Sequence, residues 1–61
     1  MIKILLTDID VGDIVYYVPR HLDVKVENSE KGFVTSIKDE KVWVKFNGPT
    51  GELTPVDSLY K

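Results

Sequence analysis

The chain has no cysteine. Disulfides, thiolate metal sites and iron–sulfur clusters are therefore excluded, and a reducing compartment is compatible with the composition. There is a single histidine and a single tryptophan. No strong excess of charge of either sign is present: eight basic residues stand against ten acidic ones, a net charge of −2. That balance argues against a dedicated nucleic-acid binder, which normally carries a marked basic excess. Long apolar runs are also missing. Met1–Leu6 is interrupted by Lys3 and followed by Asp8, too short for a membrane span and without the apolar core of a signal peptide. A cytosolic chain with no membrane partner is expected. No helical periodicity, internal repeat or low-complexity tract is visible.

At 61 residues the chain makes one domain. Such a domain buries only roughly 60% of the surface its unfolded form exposes, so its stability is expected to be small. The charge is unevenly spread. Residues 1–13 carry one lysine against Asp8, Asp10 and Asp13, whereas residues 20–46 carry six basic and five acidic side chains. A locally basic face is thus compatible with an acidic whole.

The clearest pattern lies in residues 32–46. Val42, Val44 and Phe46 alternate with Lys41, Trp43 and Lys45, which predicts a strand with one core face and one outward face. Gly32–Ile37 reads as its hairpin partner across an Asp39-Glu40 turn. Simple register sets Ile37 opposite Val42 but Val34 opposite Lys45, so the two ends disagree about which face is inside. One extra residue near Thr35-Ser36, a β-bulge, brings Val34 and Ile37 both inward. Phe33 then points outward near Trp43 or Lys45.

The remaining segments read as short elements. Residues 1–10 form an apolar arm or strand, and 11–60 the main body. Asp8–Asp13 is turn-rich, with Gly12 as the positive-φ residue. Ile14–Val18 is β-branched and aromatic and ends at Pro19. Val15 and Tyr17 share one of its faces, and Ile14, Tyr16 and Val18 the other. Residues 20–31 form a loop or an irregular strand through Leu22, Val24 and Val26. Glu52–Val56 is an edge strand, because Pro55 has no amide hydrogen for a central ladder. Asp57–Tyr60 reads as a 3₁₀ turn capped by Asp57, with Leu59 inward. Short strands at this spacing predict an all-β domain, a five-stranded SH3-like barrel.

Three pieces resemble a group of small phage and prophage proteins. They are Val11-Gly12-Asp13-Ile14-Val15-Tyr16-Tyr17-Val18-Pro19-Arg20-His21, Lys31–Ile37 and Val42–Phe46, followed by Pro55–Leu59. The shared pattern is a Gly-Asp-x-Val-x-Tyr-x-Pro-x-His strand, a Gly-x-Val-x-Ser-Ile strand, a Val-x-Val-Lys-Phe strand and a closing Asp-x-Leu. The rhythm is also similar to KOW-like and Tudor-like barrels. These motifs are structural, so the resemblance implies a fold and no reaction. The loop before Leu53 is shorter here than in that pattern.

The candidate binding residues are Trp43, Lys41 and Lys45, joined by Phe33 and Lys31. Tryptophan is favoured at protein-interface hot spots. The same stripe would stack bases and neutralise phosphates. The bland alternative covers Trp43 with the Ile2–Leu6 arm or with Leu22–Val26. A protein partner is expected, with nucleic acid as the alternative. The arm, through Ile2, Ile4, Leu5 and Leu6, packs on its own domain as a monomer or pairs across a homodimer axis.

Catalysis finds little support. His21 is the only histidine and fits a loop-fixing role better than that of a metal ligand or a general base. Ser29, Ser36 and Ser58 lack a second base or orienting group. Gly48 and Gly51 precede no helix that would bind phosphate. Tyr16, Tyr17 and Tyr60 with Trp43 form a conceivable aromatic cage, although packing is their default role. No cofactor, metal or enzymatic activity is expected.

Overall fold

A computed structural model describes residues 1–61. It is all-β: five antiparallel strands, β1 (Ile14–Tyr17), β2 (Glu30–Lys38), β3 (Lys41–Lys45), β4 (Glu52–Thr54) and β5 (Leu59–Tyr60), with three 3₁₀ turns and no α-helix. The strands form one sheet in the order β4-β3-β2-β1-β5. Its two edge strands are not paired with each other, so the sheet is open where the sequence pattern predicts a closed barrel. No helix is long and apolar enough to cross a membrane.

The β2–β3 hairpin has the expected register. Lys38 pairs with Lys41 and Ile37 with Val42, then the ladder shifts between Val34 and Ser36 before Val34 pairs with Val44. Thr35 sits in this bulge, and its hydroxyl donates to the Trp43 carbonyl (3.2 Å). A side chain thus takes over a bond at the point where the ladder slips. Asp39 and Glu40 both have left-handed backbones, with φ of 52° and 65°, the signature of a type I′ turn. That geometry suits the twist of the strands but strains residues with a Cβ. Glu40→Gly is therefore expected to stabilise the domain by about 0.5–1 kcal/mol, read as a higher urea midpoint with an unchanged slope.

The Asp10–Asp13 turn is closed by the Asp13 amide on the Asp10 carbonyl (3.1 Å) and by the Asp10 amide on Asp13 Oδ2 (2.9 Å). Gly12 supplies its positive φ of 96°. The turn is sewn to β2, because the Gly12 amide donates to Val34 O and the Val34 amide donates to Asp13 O. Val15 and Tyr17 face the interior as their alternation predicts. Val18, expected to share a face with Ile14 and Tyr16, is buried while Ile14 is exposed. The strand stops at Tyr17, and the Val18 amide turns to Ser58 O (3.0 Å).

The N-terminal arm runs along β5. Lys3 bridges Tyr60, Ile2 and Lys61 exchange backbone bonds, and the Ile4 amide donates to Leu59 O. Ile4 and Ile9 of the arm enter the core; Ile2 and Leu5 stay exposed and Leu6 is half-buried. The core comprises Ile4, Ile9, Val15, Val34, Val42, Val44 and Leu59.

Asp57 does not cap the last 3₁₀ turn, Val56–Ser58, whose first flanking residue is Pro55. Its carboxylate instead faces Lys3 Nζ (3.8 Å) and Arg20 (3.5 Å). The turn begins after Pro55, where the proline ends the β4 ladder, so cap and turn lie two residues earlier than expected and Leu59–Tyr60 form β5 instead. Residues 20–29 form a loop with a 3₁₀ turn at Val26–Asn28 and no strand.

Candidate functional site

The pairings decide which side chains share the outward face of the sheet. Phe33 lies directly across from Lys45, and Ile14 across from Phe33. Trp43 lies between Ser36 on β2 and Leu53 on β4. Lys41 pairs with Lys38, and Lys31 with Tyr16, which in turn pairs with Tyr60. All five candidate residues, Trp43, Lys41, Lys45, Phe33 and Lys31, therefore belong to one surface. Trp43 and Lys45 are half-buried; Lys41, Phe33 and Lys31 are exposed.

The structure adds two aliphatic residues that the sequence pattern did not single out. Leu53 is 58% exposed beside Trp43, and Ile14 is 50% exposed beside Phe33. Leu53 belongs to β4, whose register against β3 is not set by a tight turn, so its place beside Trp43 could not be read locally.

The charge on this face is one-sided. No Asp or Glu occupies an outward position on any strand of the sheet. Lys31, Lys38, Lys41 and Lys45 form no ion pair, since the ion pairs present involve only Lys3, Arg20 and Lys25 with Asp57 and Asp23. An acidic protein thus carries a basic sheet face.

The cover expected for Trp43 lies elsewhere. The arm runs beside β5, at the far side of the sheet from β3, and Leu22, Val24 and Val26 are themselves exposed. Trp43 is half-buried, with Ser36 and Leu53 as its cross-strand neighbours. Gly51 approaches it so closely that an added Cβ would lie 3.4 Å from Trp43 Cβ and would collide with Thr35 Oγ1.

The conceivable cage of Tyr16, Tyr17, Tyr60 and Trp43 is not assembled. Tyr16 and Tyr60 are cross-strand neighbours on the outward face, while Tyr17 points to the opposite side and meets Phe46 edge-on, ring centroids 6.1 Å apart at 60°. Strand alternation separates Tyr16 from Tyr17, so adjacent tyrosines cannot line one cage. His21 is exposed and makes no hydrogen bond. The loop is held instead by Asn28 Nδ2 donating to Asp23 O (3.0 Å) and Ser29 Oγ donating to Val26 O (2.7 Å). No three acidic or histidine side chains gather closely enough to hold a metal ion.

Comparison with known proteins finds no matching family model, no matching curated protein and no matching solved structure.

Proposed function

We propose that the chain is a small non-enzymatic binding module of the SH3-like kind, of phage or prophage origin, acting in the cytoplasm. It recognises a protein partner through the outward face of Trp43, Phe33, Lys41, Lys45 and Lys31. The phage origin rests on the sequence resemblance, and the location on the absence of cysteine. The SH3-like reading draws on the bend that a bulge gives to β2 and on the single 3₁₀ turn joining β4 to β5.

One observation carries the choice of a protein. Two exposed aliphatic side chains, Leu53 and Ile14, extend the aromatic strip. Aliphatic groups gain by exclusion of water but cannot stack on bases, and an apolar centre inside a charged rim is the usual anatomy of a protein interface. The lysine rim then favours an acidic partner surface and fixes orientation more than it adds affinity. A nucleic-acid reading has its own support in the carboxylate-free face and its unpaired lysines.

The test is Trp43→Ala on the captured partner. Binding is expected to weaken by about 2 kcal/mol or more, roughly thirtyfold, as for a hot-spot tryptophan, while circular dichroism stays native. An unfolded variant would place Trp43 among the core residues and end this reading. Salt separates the two partner classes. A phosphate contact weakens with a logarithmic slope of about −0.7 to −0.9 per neutralised phosphate, and an apolar protein contact changes little.

A further inference from the structure

On the side of the sheet opposite Trp43, the open seam forms a cleft of about 280 Å³. Its lips come from distant parts of the chain: Tyr17 and Glu30, paired across β1 and β2, face Glu52, Leu53, Thr54 and Pro55 of the β4 segment. Phe46 lies between them, edge-on to Tyr17. The cleft exists because β4 is an edge strand with nothing paired beyond it.

The chemistry of this cleft differs from that of the outward face. Glu30 and Glu52 are both exposed, approach from opposite lips, and neither forms an ion pair. Two like charges bordering one cleft repel each other, and a cation between them relieves that repulsion while gaining attraction from both. Phe46 and Tyr17 both line the cleft, and ring faces attract cations as well. A metal ion is a poor match, because no third ligating side chain is close by. A planar organic cation fits better. A guanidinium stacks on an aromatic ring and offers its remaining donors to carboxylates in a fixed fork, which an ammonium cannot do. The neighbouring free edge of β4 suits an extended backbone carrying such a side chain.

We infer that the seam cleft is a receptor for an arginine side chain presented by an extended peptide segment of a partner. Leu53 borders both this site and the Trp43 face, but the two glutamates and the Tyr17–Phe46 pair belong to the cleft alone, so either reading can fail without the other.

The test uses the intact chain and a blocked Gly-Arg-Gly tripeptide, followed by amide NMR shifts. Saturable shifts are expected at Tyr17, Glu30, Phe46 and Glu52, with an affinity on the order of millimolar for so small a ligand. The same peptide with citrulline in place of arginine keeps the shape and loses the charge. It should bind at least about tenfold more weakly. Glu30→Gln combined with Glu52→Gln should abolish the shifts while leaving the remaining resonances in place, because both side chains are exposed. Trp43→Ala should leave them unchanged. Equal binding of the two peptides, shifts centred elsewhere, or no saturable shift would overturn the inference. So would cleft resonances that move with protein concentration alone, since the occupant would then be a second copy of the chain.

Discussion

Leu59→Ala is expected to leave a large fraction of the molecules unfolded at room temperature. A 61-residue domain has a total stability of about 3–9 kcal/mol at typical values per residue. Truncating a buried leucine costs about 2–5 kcal/mol, more where the surroundings cannot close over the hole. Leu59 is fully buried and is among the largest such side chains in the core. Its backbone is held from both flanks: Ile4 donates to its carbonyl, and it pairs with Tyr17 of β1. The cavity therefore cannot be filled by sliding β5 without breaking both contacts, which places the cost in the upper half of the range, about 3–5 kcal/mol. Urea denaturation followed by circular dichroism reads the loss directly. Leu59→Met, which keeps the volume, should cost less than about 1.5 kcal/mol. If Leu59→Ala cost no more than Leu59→Met, the arm and β5 would be a loosely attached flap and the core would be complete without them.

That dependence on Leu59 marks the boundary of what the sequence made legible. The β2–β3 hairpin was readable because its information is local. Strict alternation from Lys41 to Phe46 assigns the faces, and the mismatch between Val34 and Lys45 forces a bulge at Thr35, where the register does shift. Gly12 in its turn was readable for the same reason. β5 was not: a two-residue strand has no period, and its partners Lys3, Tyr16 and Tyr17 lie at the other end of the chain. Asp57 looked like a cap because Asp before a short turn usually is one. Its charge is satisfied by Lys3 and Arg20, whose proximity only the folded sheet creates.

The two surfaces divide along the same line. The Trp43 stripe is a one-strand pattern and was visible as such. Leu53 joins it through a register that the long connection after β3 leaves open, and the seam cleft is built from β1, β2, the end of β3 and β4. No spacing rule links Glu30 to Glu52. What links them is the failure of the sheet to close, a property of curvature and edge length that single residues do not encode.

Gly32→Ala is expected to be the second severe substitution, and it tests that curvature. Ordinarily this exchange within a strand is mildly favourable, by about 0.5–1 kcal/mol, because glycine loses the most backbone freedom on folding. Here a Cβ would stand 2.7 Å from the Lys45 carbonyl oxygen and 2.8 Å from both Phe46 Cδ1 and Val44 Cγ1. Overpacking of this kind typically costs about 1–3 kcal/mol. The steric effect wins because one of the three obstacles is backbone and cannot rotate away. Gly32 is buried and paired with Val15 on β1, so β2 cannot retreat without disturbing β1 as well. The end of β3 must shift instead, and Phe46 moves with it, away from Tyr17 and out of the seam cleft. Gly32→Ala should therefore both lower the urea midpoint and weaken the arginine peptide in whatever fraction remains folded. Trimming Phe46 to leucine in the same chain should recover little stability, because the Lys45 carbonyl remains in the way. Full recovery would show that the ring alone was the obstacle, and that the space above Gly32 is shaped by side chains and not by the path of the strand.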